Sequence, residues 1–311
     1  MNIQQFKYIL ALAESKHFER AAESCFISQS TLSTMISKFE DELGIQIFDR
    51  KKKPIALSIE GEAILEQIKK INKEIDSLTV LTQEIKGEVK GTLSISVIPT
   101  IAPYVIPLVL RSFSQKLPKL ELSVREQTTE EIIRLVKSRQ LDIGIVSTPL
   151  HEKELVEHHL YNEPFVYYTE MGSIQKTIKT NQLETKNLCL LEERHCMRAQ
   201  ALELCNIQLK KRNKIENFKY SAGSIDSLMK FVLANKMDTL LPYLAAIDLP
   251  ATEQNKIVQF AAPVPYRSIG IVVHKHFVRK QILSILKQEI KAKIDPKLPS
   301  IGRKDKQLQP I

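Results

Sequence analysis

Two cysteines in the second half of the chain are the residues best suited to covalent chemistry. Cys196 directly follows His195 and lies between Arg194 and Arg198, and Cys205 comes nine residues after Cys196. The thiolate is the reactive form of cysteine, and neighbouring cations favour it over the neutral thiol. The sequence therefore predicts that Cys196 is a nucleophile whose reactivity is raised by its cationic neighbours.

The segment after Cys196 decides whether the two thiols can meet. Residues 199–204 are rich in helix formers and lack Gly and Pro, which places Cys196 at or just before a helix start, where the helix dipole stabilises a thiolate. Nine helical steps would hold the Cα atoms of Cys196 and Cys205 roughly 13 Å apart, whereas a disulfide needs about 4.4 to 6.8 Å. A bond between them therefore requires this segment to rearrange. The alternative is that both are small buried hydrophobic residues, and the spacing alone does not decide.

Length and composition limit the class of protein. At 311 residues the chain has room for roughly two or three domains. No apolar run approaches the roughly 20 residues of a membrane span, and the first residues lack the features of a secretory signal. We therefore expect a cytoplasmic protein without a membrane partner. There the four cysteines would be thiols, and any disulfide would be transient and redox-linked.

Net charge gives little guidance to the partner. The formal charge is +9, but residues 1–91 contain 13 Lys and Arg against 14 Asp and Glu. Local clusters must therefore identify any surface for nucleic acid. His158, His159, His274 and His276 have no Cys or carboxylate at ligand spacing, so the sequence predicts neither a metal site nor a cofactor.

The N-terminal residues predict a helix-turn-helix. Apolar residues recur at helical spacing over residues 3–18, and a shorter helix over 19–25 contains the small pair Ala21 and Ala22. A turn follows in which Ser28 can cap a third helix over residues 29–43, which ends at Gly44. The pattern indicates two helices that cross closely at small residues.

This stretch resembles the winged helix-turn-helix of LysR-type transcriptional regulators. The matching residues are Ala21-Ala22, Ser28-Gln29 with Leu32-Ser33, Phe39-Glu40 with Leu43-Gly44, and Ile47-Phe48 with Arg50. The resemblance implies that the third helix enters the major groove of double-stranded operator DNA.

The resemblance also implies which side chains contact DNA. Gln29, Ser30 and Thr31 would reach base edges, Ser33 or Lys38 a phosphate, and the basic wing residues Arg50, Lys51, Lys52 and Lys53 further phosphates. A solvated loop is the alternative for the basic run. Family members often have Pro at position 30 and a basic residue or Gln at position 34 or 35, where this chain has Ser30, Thr34 and Met35. The sequence therefore does not determine which DNA bases the third helix contacts.

A long helix is predicted over residues 58–86. Its apolar residues follow the three-and-four spacing of a two-stranded coiled coil; they are Leu65, Ile68, Ile71, Ile75, Leu78 and Ile85. The stripe could pack against the same chain, but LysR-type proteins dimerise through this helix. Gly87 and Gly91 would end the helix and form a hinge.

The remainder predicts an α/β fold. Strands and helices alternate after Gly91, which indicates a parallel sheet covered by helices. By resemblance to the LysR effector region this is a two-lobed, periplasmic-binding-protein-like domain with a cleft between its lobes. The predicted domains are residues 1–58 for the winged helix-turn-helix, 59–90 for the coiled-coil linker, 91–294 for the effector domain with lobe I over about 91–161 and 267–294 and lobe II over about 162–266, and 295–311 for a basic, poorly ordered tail.

Residues 190–200, together with Cys205, resemble the redox switch in the peroxide-sensing branch of the LysR family. The resemblance implies that Cys196 is the peroxidatic cysteine and Cys205 the resolving one. It also implies that peroxide and its waters are held by Thr100, Thr129, His195, Gln200 and Arg267. Ala199 replaces an acidic residue often found there. Cys25 and Cys189 lack cationic neighbours, and we interpret both as core residues.

Taken together, these residues predict a transcriptional regulator rather than an enzyme. Hydrogen peroxide would activate it through a reversible Cys196–Cys205 disulfide, and it would act as a tetramer built from two dimers that engages RNA polymerase. One alternative is a LysR-type regulator that binds a small anionic or aromatic metabolite in the interlobe cleft. Another is a thiol peroxidase, which the helix-turn-helix disfavours because a turnover enzyme does not need DNA.

Overall fold

The computed structural model describes residues 1–169, 177–183, 187–192, 194–204 and 220–310, except for the side chains at 83 and 84. It divides into two compact units, Met1–Lys86 and Gly87–Ile311. Cys205, on which the predicted disulfide depends, lies outside the described residues.

The first unit contains the predicted helix-turn-helix and wing. Its elements are α1 Ile3–Ser15, α2 Phe18–Ser24, α3 Gln29–Leu43, β1 Phe48–Asp49, β2 Ala56–Leu57 and α4 Ile59–Ile85. The Ser28 side chain accepts a hydrogen bond from the Thr31 amide at 3.2 Å and caps α3. Gly44 ends α3 with φ +67°, a left-handed conformation that glycine adopts without strain. The predictions for these helices are confirmed because caps and periodicity are local signals.

The long helix α4 has two different halves. Leu65 and Ile68 are buried in the core of the first unit, together with residues of α1 and α3. Leu78 and Ile85, in the second half, are 65% and 76% exposed. The predicted apolar stripe therefore packs against its own chain at one end and is open at the other.

The second unit is built on one long sheet. Its strands are β3 Gly91–Val97, β4 Leu120–Glu126, β5 Ile143–Thr148, β6 Leu155–Thr169, β7 Thr177–Ile178, β8 Leu188–Cys189, β9 Asp238–Pro242, β10 Ile257–Phe260, β11 Pro265–His274 and β12 Lys306–Gln307. Its helices are α5 Ala102–Lys116, α6 Thr129–Lys137, α7 Cys196–Leu204, α8 Ile225–Asn235, α9 Tyr243–Ile247 and α10 Lys280–Ile294, with short 3-10 turns at Thr180–Gln182, Gln254–Lys256 and Asp295–Lys297.

The strands of lobe I are parallel to one another, whereas the two long strands that join the lobes are antiparallel. In lobe I, β4, β3 and β5 are parallel, as the strand and helix alternation predicts. The long strands β6 and β11 pair with each other in antiparallel orientation, and β6 continues into lobe II to pair with β9 and β10. Buried side chains form two cores, one around Ile95, Val105, Phe113 and Ile271, and one around Leu191, Leu228, Leu240 and Val258. The two-lobed fold follows from these cores and the strands that cross between them.

The C-terminal segment differs from the prediction. We predicted that residues 295–311 are poorly ordered, but β12 pairs in parallel with β11, and Leu308 is fully buried in the core of lobe II. The prediction was wrong for residues 295–310 because average composition does not reveal one buried leucine and a strand pairing distant in sequence. Within the described residues no helix is long and apolar enough to cross a membrane.

Candidate functional site

Cys196 lies where the two lobes meet. It is the first residue of α7, as the helix formers after it predict, and its half-buried side chain packs against the core of lobe I. Met197, Ala201 and Leu204, on the same helix, pack in the core of lobe II. The helix thus belongs to lobe II and presents its N-terminal cysteine to lobe I.

A buried ion pair stands beside Cys196. Arg267 on β11 is 1% exposed and Glu163 on β6 is fully buried. The Arg267 Nε donates to Glu163 Oε2 at 2.9 Å, and its guanidinium also donates to the Thr100 hydroxyl at 2.8 Å and to the Thr100 carbonyl at 3.1 Å. The second Glu163 oxygen accepts from the Leu244 amide at 2.9 Å. A buried charge needs such partners, so each member of this network holds the next in place.

The protonation of Cys196 is controlled by this network rather than by its neighbours in sequence. Burial raises the pKa of the Cys196 thiol above its ordinary value of 9.0, while Arg267, Thr129 and backbone groups at the start of α7 oppose the rise. Arg194 instead pairs with Glu192 at 3.1 Å, and Arg198 donates to the Leu191 carbonyl at 2.8 Å. The predicted lowering of the pKa by the adjacent arginines is therefore wrong, because those side chains point to other partners.

The imidazole of His195 faces another part of lobe II. Its Nε2 lies 3.1 Å from the Gly223 carbonyl. A carbonyl can only accept, so Nε2 carries the proton and Nδ1 is the acceptor of the neutral ring. Burial lowers the pKa of His195 below its usual 6.5, so this neutral form prevails at neutral pH. The Nε2 atom of His195 therefore donates to Gly223 and does not bond to Cys196.

Gln200 places a buried oxygen without a partner at this site. Gln200 is fully buried one helical turn after Cys196, and its Nε2 donates to the Ser147 hydroxyl at 3.0 Å and to the Leu308 carbonyl at 3.3 Å. Gln200 Oε1 makes no hydrogen bond within the described part of the chain, whereas the Thr129 hydroxyl is directed to the Cys196 sulfur, whose thiolate it favours. An unsatisfied buried polar group is costly, so the Gln200 oxygen suits a small polar molecule.

The exposed face of α3 carries the residues predicted to contact DNA bases. Gln29, Ser30 and Thr31 are exposed at its N-terminus, and the Ser28 hydroxyl binds those of Ser30 at 2.9 Å and Thr31 at 2.8 Å. Lys38 is exposed further along the helix and Ser33 is half-buried. The short polar side chains are thus held in fixed positions at the helix start.

The basic wing residues have different environments. Arg50 donates to the Glu40 carboxylate at 2.7 Å and to Ser37 at 2.8 Å, and Glu40 also accepts from the backbone of the wing. Lys52 approaches Asp49 at 3.9 Å, and Lys51 and Lys53 are exposed. Arg50 therefore fastens the wing to α3, while the lysines extend into solvent.

Known proteins resemble the chain over nearly its whole length. Residues 3–62 match the bacterial regulatory helix-turn-helix protein, lysR family, and residues 86–293 match the LysR substrate binding domain. The hydrogen peroxide-inducible genes activator of Haemophilus influenzae is 31% identical over 88% of this chain and 90% of that protein. The DNA-binding transcriptional dual regulator OxyR of Escherichia coli strain K12 is 30% identical over 95% of this chain and 96% of that protein.

A solved structure is also similar to this chain over nearly its whole length. A cysteine-to-aspartate variant of full-length OxyR from Pseudomonas aeruginosa matches with a TM-score of 0.73 at 29% identity, covering 94% of this chain and 98% of that one. The chain belongs to the LysR family of transcriptional regulators, in its OxyR branch. In this LysR-family regulator the helix-turn-helix with its wing lies in the first matched region, and the two lobes lie in the second.

Two residues of the OxyR-branch site were missed from the sequence. Glu163 is an acidic residue beside the apolar run of β6, a signal that could have indicated a buried partner for Arg267. Ser147, at the end of β5, carries no such signal because its role depends on a contact with Gln200 across 53 positions. Of the predicted residues, the structure brings Thr100 to Arg267 and both Thr129 and Arg267 to Cys196, places Gln200 one turn from Cys196, and directs His195 to Gly223.

Proposed function

We propose that this regulator senses hydrogen peroxide with Cys196, forms a reversible disulfide with Cys205, and thereby activates transcription from the operator it binds. The observation that carries the proposal is a thiol beside a buried arginine and the Thr129 hydroxyl, with an unpartnered oxygen on Gln200 one helical turn away. Arg267 supplies positive charge next to the sulfur, and Thr129 and Gln200 offer hydrogen-bonding oxygens. The naming of relatives as peroxide-inducible gene activators supports the same function.

The oxidation step uses the Cys196 thiolate as nucleophile. The sulfur attacks one peroxide oxygen, the O–O bond breaks, and the sulfur becomes a sulfenic acid while the second oxygen leaves as hydroxide and is protonated to water. Because the thiol pKa is raised by burial, the thiolate is a minor species at neutral pH. Arg267 stabilises both this thiolate and the negative charge that develops on the leaving oxygen.

The polar groups around the sulfur match the hydrogen-bonding capacity of peroxide. Gln200 Oε1 can only accept, so it suits a peroxide hydroxyl, whereas the Thr129 hydroxyl can donate to the leaving oxygen. The Thr100 hydroxyl accepts from Arg267 at 2.8 Å, so its own proton is available to a further acceptor. Correct placement of these groups accounts for acceleration over a free thiol.

The second step joins the cysteines. The Cys205 thiol attacks the sulfenic sulfur, water leaves, and a disulfide forms; a thiol reductant later returns both residues to thiols. Cys196–Leu204 is helical, and a helix of that length holds its ends about 12 Å apart. The disulfide therefore requires α7 to open, which changes packing in lobe II and couples oxidation to DNA binding.

The DNA-binding surface and the open half of α4 complete the proposal. The start of α3 would contact base edges of a double-stranded operator and the wing lysines its phosphates. The exposed residues Leu78, Leu81 and Ile85 would pair with a second copy of this chain, and dimers would assemble into the tetramer that engages RNA polymerase. Since the operator is DNA, the protein acts in the cytoplasm.

A regulator of the same family that binds an anionic metabolite at this position is less well supported. An anionic ligand would need a free cation at the junction of the lobes, but Arg267 is bound to Glu163 and Thr100. An additional negative charge would lie close to the Glu163 carboxylate and be repelled by it.

Trapping of the sulfenic acid tests this function. We expect Cys205→Ser treated with one equivalent of peroxide to be labelled by a dimedone probe at Cys196, because no second thiol resolves the intermediate. Cys196→Ser should remain unlabelled while keeping its fold and DNA binding. Absence of labelling in folded Cys205→Ser would refute the assignment.

A further inference from the structure

The C-terminal segment reaches the site that surrounds Cys196. The β12 strand lies along β11, the Leu308 amide donates to the Tyr266 carbonyl at 2.8 Å, and the Leu308 side chain is fully buried. Lys306 pairs with Glu203 on α7 at 3.0 Å, and the Gln307 side chain donates to the Thr148 carbonyl at 3.2 Å. The segment is therefore fixed to both lobes and to the helix that carries Cys196.

This segment determines the orientation of the Gln200 amide. The backbone carbonyl of Leu308 lies 3.3 Å from Gln200 Nε2. A carbonyl oxygen can only accept, so the nitrogen end of the amide must point to Leu308 and the oxygen end must point away. The contact therefore leaves Gln200 Oε1 buried and without a partner among the residues that the structure describes.

Ser147 supports the same orientation from the other lobe. Its hydroxyl donates to the Ser268 carbonyl at 3.3 Å and lies 3.0 Å from Gln200 Nε2. The single proton of Ser147 is used toward Ser268, so Ser147 accepts from Gln200. Two acceptors on different elements thus hold both protons of the amide.

We propose that Ser147 and the C-terminal segment 305–309 are positioning elements for Gln200, which they hold with its oxygen presented to peroxide at Cys196. This inference rests on the proposed peroxide reaction. Neither element touches Cys196 in the described structure, so each acts through the Gln200 amide. The OxyR-branch site in this chain therefore includes residues far from its cysteine motif.

The test separates positioning from thiol reactivity. In a Cys205→Ser background, the rate of Cys196 oxidation by peroxide is compared with its rate of alkylation by iodoacetamide, which needs a thiolate but no peroxide-binding groups. We expect Ser147→Ala to slow oxidation about two- to tenfold, the loss of one hydrogen bond, with alkylation unchanged. Ser147→Thr keeps the hydroxyl and should restore the oxidation rate.

A second variant addresses the C-terminal segment. Gln307→Ala removes the side-chain contact with Thr148 without touching a core residue, and it should slow oxidation about twofold or more while alkylation stays constant. Lys304→Ala, an exposed change directly before this segment, serves as the control and should behave as the parent protein.

Combining the two substitutions tests whether Ser147 acts through Gln200. Gln200→Ala should slow peroxide oxidation, and Ser147→Ala should add nothing in the Gln200→Ala background because its effect passes through Gln200. Equal oxidation rates for Ser147→Ala and the parent, or additive effects of the two changes, would overturn the inference. Failure of the proposed function is distinguishable, since peroxide would then leave Cys196 unoxidised in the Cys205→Ser parent itself.

Discussion

At the scale of single residues, the reactivity of Cys196 depends on a cation that is distant in sequence. Arg267 lies 71 positions after Cys196, yet it is the largest influence opposing the rise in thiol pKa caused by burial. The two arginines of the cysteine motif bind other groups. The sequence motif predicts the nucleophile, but the source of its electrostatic environment depends on the fold.

The first prediction concerns the pH dependence of Cys196. The thiol has a pKa above 9.0, so alkylation should accelerate as pH rises through a value higher than that of free cysteine. Arg267→Gln should raise the pKa further, and each additional unit cuts the thiolate present at neutral pH about tenfold. Alkylation rates measured across pH report the shift directly.

The controls isolate the electrostatic effect. Arg194→Gln removes an equal charge that is paired with Glu192, and it should leave the alkylation profile unchanged. Arg267→Gln alone leaves the Glu163 carboxylate buried without its partner, a loss of about 3 to 5 kcal/mol. The Arg267→Gln, Glu163→Gln double variant avoids this, and an unshifted profile in that protein would contradict the account.

The part of the site that could be predicted from sequence is the part carried by a motif. Cys196 begins α7 as its helix-forming neighbours indicate. Glu163 and Ser147 were missed because their partners are 104 and 53 positions away, and one sequence does not show which distant residues meet.

At the scale of elements, the basic residues of the wing have different environments, and we propose that the exposed ones contact DNA. Arg50 is bound to Glu40, whose other oxygen accepts from the amides of Ile47 and Phe48. The lysines of the same run are exposed. Sequence predicts one basic run, whereas the fold divides it according to which side chain lies over α3.

The second prediction follows from that division. Lys51→Ala should weaken DNA binding similarly for all sequences and reduce the salt dependence of log K by about 0.9, the effect of one lost phosphate contact. Arg50→Ala should in addition lower the melting temperature, because Glu40 loses its partner. Binding titrations over several salt concentrations, with thermal unfolding alongside, distinguish the two. Equal melting temperatures would contradict the structural role of Arg50.

Element boundaries were predicted well where signals are local. The helix α3 has the predicted limits, since Ser28 caps it and its apolar spacing is helical. The β12 strand was missed because its two residues carry no periodic pattern and pair with β11 about 41 positions earlier.

At the scale of the whole molecule, we propose that α4 supplies the surface for self-association. Leu78, Leu81 and Ile85 are exposed in the second half of the helix, beyond the part that packs on the core of the first unit. Such an apolar stripe is stable in water when a second helix covers it.

The third prediction tests that surface. Leu78→Glu should place a charge in the pairing stripe and reduce the dimer to monomers at micromolar concentration, as measured by sedimentation velocity. Lys73→Glu, an exposed change on the far side of the helix, introduces the same side chain and should leave the dimer intact. A Leu78→Glu dimer as stable as the parent would place self-association elsewhere.

Oxidation should change how the assembled regulator occupies DNA. The disulfide requires α7 to open, and residues of that helix pack in the core of lobe II. We therefore expect the core of lobe II to rearrange in the oxidised protein, because a small distortion of α7 would not bring the two cysteines together. Contacts on DNA should then shift by whole helical turns, because only those spacings present the groove on the same side.

The most direct test follows one sample through the whole cycle. The protein bound to its operator is treated with one equivalent of peroxide, analysed as intact protein by mass spectrometry, footprinted with DNase, and then reduced with a thiol. We predict that the mass falls by two hydrogen atoms with Cys196 and Cys205 linked, that the footprint changes in length, and that both changes reverse on reduction. An unchanged mass, or a confirmed disulfide with an unchanged footprint, would contradict the account.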